Sequence, residues 1–195
     1  MMIRVLHPDA PDGKATKYSR PERERRFLLR ALPAGDVVRV AKIDDLYIEG
    51  TRMRVRKLSY EGRDDYKFTQ KIPNPAGGPG LITTLYISKA EHALFSSLPG
   101  PRLRKTRYSI PPMGFDVFEG ELSGLVMGEM EFESDAAMAA FAPPVGTVAE
   151  VTKDERFTGG ELVRTTAVQL AEILATMYSR TPVSGPMDSE VSRPS

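Results

Sequence analysis

Short segments in which polar and apolar residues alternate fill most of the sequence between about residues 21 and 178. Six of them are rich in β-branched or aromatic residues and are separated by glycine or proline: TRMRVRKLSY, DYKFTQKI, LITTLYI, RLRKTRYSI, GFDVFEG and GLVMGEMEF. A period of two is typical of strands with one buried face, and glycine and proline mark the turns between them. The pattern predicts a mainly antiparallel β protein of the α+β class.

Three helices are expected beside these strands. Ser88 and Glu91 have the spacing of a capping box and begin a helix over KAEHALFSSL. Ser134 is placed to cap a short helix over DAAMAAF. A last helix, at about residues 160–178, has one apolar stripe that should pack against the sheet. The stripe consists of Val163, Ala167, Leu170, Leu174 and Met177.

The two ends of the chain differ from this body. Residues 1–20 mix proline, glycine and charged residues, which predicts a flexible lead-in with IRVL as a candidate short strand. Residues 179–195, SRTPVSGPMDSEVSRPS, have too little apolar content to fold and are expected to form a disordered tail. Residues 21–178 are then one domain, since 195 residues with 41% hydrophobic content suffice for one sizeable core.

Composition excludes several classes of protein. The net charge of +1, with 27% charged residues, gives no polycationic character for nucleic-acid binding. Without cysteine, the chain has no disulfides, thiolate zinc sites or cysteine nucleophile, which fits a cytoplasmic setting. No apolar run approaches the ~20 residues of a membrane helix. His7, in the lead-in, and His92, on a surface helix, are not expected to form a triad or zinc site, and NPAGGPG lacks the Gly-Lys-Ser/Thr of a phosphate loop.

Charges of one sign collect on one face of several strands. Side chains two residues apart share a face at roughly 6.5 to 7 Å spacing. Like charges placed in this way repel one another unless a ligand of opposite charge lies among them. The cationic faces carry Arg52, Arg54 and Arg56, then Lys67 and Lys71, then Lys105 and Arg107; the acidic face carries Glu129, Glu131 and Glu133; and ERERRFLL adds Glu22, Glu24 and Arg26.

A metal polyphosphate supplies both missing charges. Mg²⁺ or Mn²⁺ is bound by carboxylates, phosphate oxygens and water, while arginine and lysine hold the remaining phosphate oxygens. If the sheet closes into a barrel, the ionic face becomes an interior where these attractions are weakly screened. The apolar face then looks outward, toward the helices.

These residues resemble the CYTH superfamily, the triphosphate tunnel metalloenzymes. ERERRFLL is similar to the family's Glu-x-Glu-x-Lys opening, MRVR and FTQK to its Arg-x-Arg strand and strand-ending lysine, and RKTRYSI to its next basic strand. FDVFEGELSGLVMGEMEF and AEVTKDERF resemble its later blocks, in family order. The resemblance covers about 80% of the chain and implies an eight-stranded closed β tunnel with a few helices packed outside.

The resemblance also implies roles for individual residues. Divalent metal binding is assigned to Glu22, Glu24, Glu129 and Glu131, with Asp116 supporting the metal or orienting a base. Phosphate contacts are assigned to Arg26, Arg54, Arg56, Lys71, Lys105 and Arg107. Glu22, Glu24 and Arg26 form the expected catalytic set. Glu150, Asp154 and Arg156 match positions near the tunnel mouth, where structural salt bridges are the alternative.

Two departures from the family pattern affect the mechanism. Arg26 stands where family members have lysine, and because arginine stays protonated it binds phosphate but cannot act as a general base. The segment KLSYEGRDDY is longer than the usual hairpin, so the strand register decides between Arg52 with Arg54 and Arg54 with Arg56. We favour the second pair.

The resemblance implies hydrolysis of a linear triphosphate, with inorganic tripolyphosphate preferred, by in-line attack of metal-bound water and with Mg²⁺ or Mn²⁺ as cofactor. The alternatives are thiamine triphosphatase or class IV adenylate cyclase activity and, outside enzymes, a module that binds polyphosphate without turnover. The expected partner is a small-molecule triphosphate, not nucleic acid or a membrane, and the chain is expected to be a monomer or homodimer.

Overall fold

The computed structural model describes residues 17–74 and 79–179. The candidate strand IRVL, His7, almost all of the expected C-terminal tail and the middle of the NPAGGPG stretch lie outside these residues. Within them, no helix combines the length and the apolar character that crossing a membrane requires.

One antiparallel sheet of ten strands forms the body of the protein, in the order β1-β6-β5-β4-β3-β7-β8-β9-β2-β10. The strands are β1 (Arg20–Pro21), β2 (Glu24–Leu29), β3 (Arg39–Tyr47), β4 (Met53–Tyr60), β5 (Arg63–Ile72), β6 (Leu81–Tyr86), β7 (Arg102–Ile110), β8 (Met113–Phe118), β9 (Val126–Glu131) and β10 (Thr147–Glu150). The mainly antiparallel α+β class is therefore confirmed.

The chain itself closes this sheet into a tunnel. β1 and β2 are two parts of one extended segment, and they pair with β6 and β9, which lie at opposite sides of the strand order. Between them, the Glu22 amide donates to the Gly80 carbonyl, and the Arg23 carbonyl accepts from the Phe132 amide. Counting β1 and β2 as one strand gives the eight-stranded tunnel predicted above, with β10 added outside on β2.

The six strands predicted from alternation correspond to β4 to β9. The sequence analysis did not predict two of the described strands, β3 with the sequence RVAKIDDLY and the four-residue β10. β3 mixes charged and apolar residues on both faces, which hides the period of two, yet it lies between β4 and β7 and carries part of the site.

The described residues form four helices beside the tunnel: α1 (Lys89–Phe95), α2 (Asp135–Ala140), α3 (Gly159–Leu162) and α4 (Ala167–Ser179). Ser88 and Glu91 form the expected capping box on α1, and the Ser134 side chain accepts from the Ala137 amide to cap α2. The single helix predicted at 160–178 is split in two. Thr166 and Gln169 exchange hydrogen bonds in the manner of a capping box, which begins a new helix at α4.

Three buried apolar clusters support the tunnel. Two lie on its outer face, as predicted: Leu46, Ile48 and Val55 pack near Phe95 of α1, and a second cluster centred on Phe27 and Phe115 packs against Phe141.

The third cluster corrects the expectation that the inner face is ionic throughout. Leu28, Leu103, Phe118 and Met127 share the inner face with the charged residues, by their strand register. They pack against Leu162 of α3, Leu170 of α4 and Phe157 of the short 3₁₀ helix Glu155–Phe157. This cluster fills one end of the tunnel.

Candidate active site

Strand register places the predicted charged residues on the inner face of the tunnel. On β2 and β9, Glu24 lies opposite Glu131, and Arg26 opposite Glu129. On the other side, Arg56 lies opposite both Asp45 and Lys67. Arg107 lies opposite Asp116 on β8. Because residues in register share a face, the charges of seven strands project into one interior.

Glu129 shows that side chains converge across this interior. Its carboxylate accepts from Arg107, and its Oε1 lies 3.8 Å from the Lys105 ammonium. Burial by itself would raise the pKa of Glu129, but Lys105 and Arg107, followed by Lys71 and Arg56, hold it well below the ordinary value. β3, β7 and β8 lie between β4 and β9, so Arg56 acts on Glu129 across the tunnel.

Asp116 orients two predicted phosphate-binding cations. It is fully buried and accepts from the Lys105 ammonium and, at 2.6 Å, from both Nε and a terminal nitrogen of Arg107. The pKa of Arg107 lies well above its usual range, because Glu129 and Asp116 outweigh the effect of burial. With both oxygens engaged in this way, Asp116 fits the orienting role better than that of a metal ligand.

Asp45, which the sequence analysis missed, does the same for the arginine pair on β4. It is fully buried, accepts from Arg56 at 2.6 and 2.7 Å, and lies 3.8 Å from Nε of Arg54. Burial opposes its ionisation, but Arg56 and then Arg54 lower the pKa of Asp45 far below its usual value. The structure therefore places Arg54 and Arg56, the favoured pair, at the site, whereas Arg52 precedes the strand and is exposed. The sequence gives little signal for Asp45, because Ala41, Ile43 and Tyr47 share its face of β3 and make that face look apolar.

Tyr47 is a second residue that the sequence analysis missed. It lies opposite Arg54 in register, and together with Asp45 it raises the pKa of that arginine against the effect of burial. Its hydroxyl lies where α3 begins: a Cβ added to Gly159 would stand 1.9 Å from the Tyr47 hydroxyl. Only glycine leaves room for the ring in this position.

The carboxylates of Glu22, Glu24 and Glu131 form the acidic part of the site, and each lies within 4.0 Å of a cation. Glu22 pairs with the Lys71 ammonium at 2.5 Å, and Glu131 is exposed at the mouth. Burial raises the pKa of Glu24, and so do the neighbouring carboxylates Glu129 and Glu22; Lys71 and Arg26 only partly offset them. A divalent cation bound here would offset the cost of burying the charged Glu24 carboxylate near Glu129 and Glu22.

These residues fit a divalent metal in chemistry, because Mg²⁺ and Mn²⁺ prefer carboxylate oxygens completed by phosphate and water. Within residues 17–74 and 79–179, no three acidic or histidine side chains are gathered closely enough to hold an ion by themselves. A site formed by Glu22, Glu24 and Glu131 would therefore need the substrate's own oxygens to complete it.

Arg26 is bound to backbone groups rather than left open to a ligand. Its terminal nitrogens donate to the carbonyls of Phe157, at 2.5 Å, and Thr152, at 2.6 Å. Its Nε lies 3.4 Å from Glu24 but has no hydrogen-bond partner. These bonds use two of the five N–H donors of Arg26 and join the inner face to the segment around Thr152 and Phe157, at one end of the tunnel.

The remaining candidates form salt bridges or lie at the surface. Glu150 pairs with Arg25 at 2.7 Å, and Asp154 pairs with Arg156 at 2.6 Å. These are structural salt bridges, the alternative given above to a role near the tunnel mouth. His92 lies on α1 with its ring 4.6 Å from that of Tyr66, away from the inner face. Burial, followed by Arg102 and Lys57, lowers the pKa of His92.

We predict that acid weakens the fold through Asp45 and Glu129. Both have folded-state pKa values below those of an unfolded carboxyl, about 4, so they stabilise the fold above about pH 5 and lose this effect as pH falls. Glu24, whose pKa is raised, acts in the opposite direction. We expect the urea midpoint to fall between pH 6 and pH 3, and to fall less in an Asp45→Asn variant. An equal fall in both proteins would contradict the assignment to Asp45.

Fold and site together define a class of protein. It is an antiparallel β tunnel whose interior holds cations and carboxylates side by side and in which apolar residues fill one end.

No family model matches the sequence. An inorganic triphosphatase of Nitrosomonas europaea (strain ATCC 19718) is 32% identical over 141 residues, which cover 70% of this chain and 92% of that protein.

Two solved structures share the fold. The crystal structure of the inorganic triphosphatase NE1496 is 28% identical and superposes with a TM-score of 0.50, covering 74% of this chain and 95% of that one. The crystal structure of the hypothetical protein NE1496 gives a TM-score of 0.51 at 28% identity, with 74% and 98% covered. The chain belongs to the CYTH superfamily of triphosphate tunnel metalloenzymes.

Proposed function

We propose that the protein hydrolyses a linear triphosphate, inorganic tripolyphosphate in preference to nucleoside or thiamine triphosphate, with Mg²⁺ or Mn²⁺ as cofactor. The observation that supports this most directly is the ring of inner-face cations that buried carboxylates fix in place, Arg54 and Arg56 by Asp45, and Lys105 and Arg107 by Asp116. A compact polyanion is the ligand that such a ring of cations suits best.

The protein's own side chains account for binding and orientation of the substrate. Arg54, Arg56, Lys105 and Arg107 are held in place by Asp45 and Asp116, so these donors need little rearrangement to donate to phosphate oxygens. Fixed donors of this kind stabilise the charge that grows on the leaving oxygens in the transition state. Lys71, which is half exposed and paired with Glu22, completes the set toward the open mouth.

Glu22, Glu24 and Glu131 would hold the divalent ion, which supplies Lewis-acid neutralisation of the phosphate oxygens when bound. Glu24 is also suited to accept a proton from the attacking water, since its raised pKa brings it closer to neutrality. Arg26 stays protonated and therefore cannot serve as that base. Its ties to Phe157 and Thr152 suggest that it supports the position of Glu24 instead.

The relationship to an inorganic triphosphatase supports this choice of substrate over the alternatives. Within the same family, adenylate cyclase activity would require a nucleotide and would yield cyclic AMP and pyrophosphate. Binding without turnover is the non-enzymatic alternative, and the replacement of the family lysine by Arg26 is the observation in its favour.

One assay separates these functions. We expect orthophosphate release from tripolyphosphate with Mg²⁺ or Mn²⁺ to exceed release from ATP and thiamine triphosphate, and to stop when the metal is chelated by EDTA. Phosphate is measured colorimetrically, and nucleotide products are resolved by chromatography. Cyclic AMP from ATP would replace the proposal by the cyclase activity, and tight binding of tripolyphosphate without release under either metal would replace it by the binding module.

A further inference from the structure

One row of inner-face residues leads from the buried part of the site to the outside. Asp45, Arg56, Lys67 and Tyr86 are successive register partners on β3, β4, β5 and β6. Exposure rises along the row, from 0% for Asp45 to 72% for Tyr86. Register partners have Cβ atoms about 4.5–5.5 Å apart, so Lys67 is the next cation beyond Arg56 on the way out.

Lys67 differs from Lys71 and Lys105, the other inner-face lysines named above, in its lack of a carboxylate partner among the described residues. Lys71 pairs with Glu22 and Lys105 with Asp116. In the part of the chain that the structure describes, no carboxylate oxygen lies within 4.0 Å of the Lys67 ammonium. Asp65, two residues away on the same face, is engaged by the Tyr60 hydroxyl at 3.0 Å. The Lys67 ammonium instead lies 4.8 Å from the centre of the Tyr86 ring.

A cation–π contact with an exposed ring is worth only about 0.5–1 kcal/mol, so it holds Lys67 in place but is readily exchanged for an anion. A phosphate group beside Arg56 that continued toward the mouth would meet Lys67 next. Lys67 is therefore an inner-face cation beside Arg56 whose charge no carboxylate of the described residues compensates within 4.0 Å.

We infer that Lys67 forms a subsite for a phosphate group beyond the third, so that the tunnel accepts linear polyphosphates of four or more units. This inference rests on the proposed function, because it extends the same phosphate site outward along the row from Arg56 to Tyr86. It assigns Lys67 to chain-length selectivity and not to the reaction itself.

The test measures binding rather than turnover. Dissociation constants of tripolyphosphate, tetrapolyphosphate and ATP are measured by calorimetry in buffer with EDTA, for the natural protein and for Lys67→Ala. We expect the substitution to lower the affinity for tetrapolyphosphate about 10-fold relative to that for tripolyphosphate, the loss of one charge-assisted contact. The affinity for ATP relative to tripolyphosphate should stay the same, because ATP has a ribose where the fourth phosphate would lie.

Lys57→Ala is the matched control, since Lys57 lies on the outer face of the neighbouring strand β4 and pairs with Asp64 at 3.0 Å. It should leave the ratio of tetrapolyphosphate to tripolyphosphate affinities at the natural value. An unchanged ratio in Lys67→Ala, or an equal loss for ATP, would overturn the subsite while leaving the triphosphate site intact. Failure of the natural protein to bind tripolyphosphate both in EDTA and with added Mg²⁺ would instead refute the proposed function.

Discussion

Replacing Asp45 by alanine should destabilise the protein by about 3–5 kcal/mol, the range for a buried ion pair that loses one partner. Asp45 is fully buried and is the carboxylate that compensates both Arg54 and Arg56. Without it, neither arginine has a carboxylate within 4.0 Å among the described residues. The measurement is the free energy of unfolding from urea denaturation followed by circular dichroism.

Asp44 provides the matched control, because it is the adjacent residue on the opposite face of β3. It pairs with Arg102 at 3.1 Å and Arg104 at 3.3 Å in a half-exposed setting, where such pairs contribute about 0–1 kcal/mol. If Asp45→Ala prevents folding altogether, Asp45→Asn keeps the volume and allows the comparison. Equal unfolding free energies for the Asp44 and Asp45 variants would show that Asp45 is not the central counter-charge.

Replacing Glu24 by glutamine should reduce metal-dependent phosphate release by at least about 100-fold without destabilising the metal-free protein. Because burial, Glu129 and Glu22 raise the pKa of Glu24, its charged form is less stable in the fold than in the unfolded chain, relative to its protonated form. Glutamine resembles the protonated form, so the metal-free variant should unfold at the same urea concentration or a higher one. Such a gain in stability with a loss of activity is typical of residues kept for function.

The control for this substitution is Glu172→Gln on the exposed surface of α4, which should retain full phosphate release. Phosphate release and the urea midpoint are measured on both variants under the same conditions. Retained activity in Glu24→Gln would remove Glu24 from the site, and a large loss of stability would show that its charge supports the fold.

Most of the strands could be predicted because their information is local. In β4, Arg54 and Arg56 alternate with Met53 and Val55, and this alternation needs no partner strand to be recognised. The caps of α1 and α2 are equally local, since Ser88 and Ser134 act on residues three positions away. β3 was missed because both of its faces carry charges, and the break before α4 because it depends on a Thr166 cap inside an otherwise continuous helical pattern.

The sequence by itself determined the alternation, and with it the class of fold and the signs of the charges on the inner face. Only the tertiary structure decided how those charges are paired. Asp45 became the counter-charge of Arg54 and Arg56, and Arg26 was bound to the carbonyls of Phe157 and Thr152, which are more than 120 positions away. Alternation is a property of neighbouring residues and can be read from the sequence. Pairing depends on which strands become neighbours when the sheet closes, and short-range sequence patterns do not determine this.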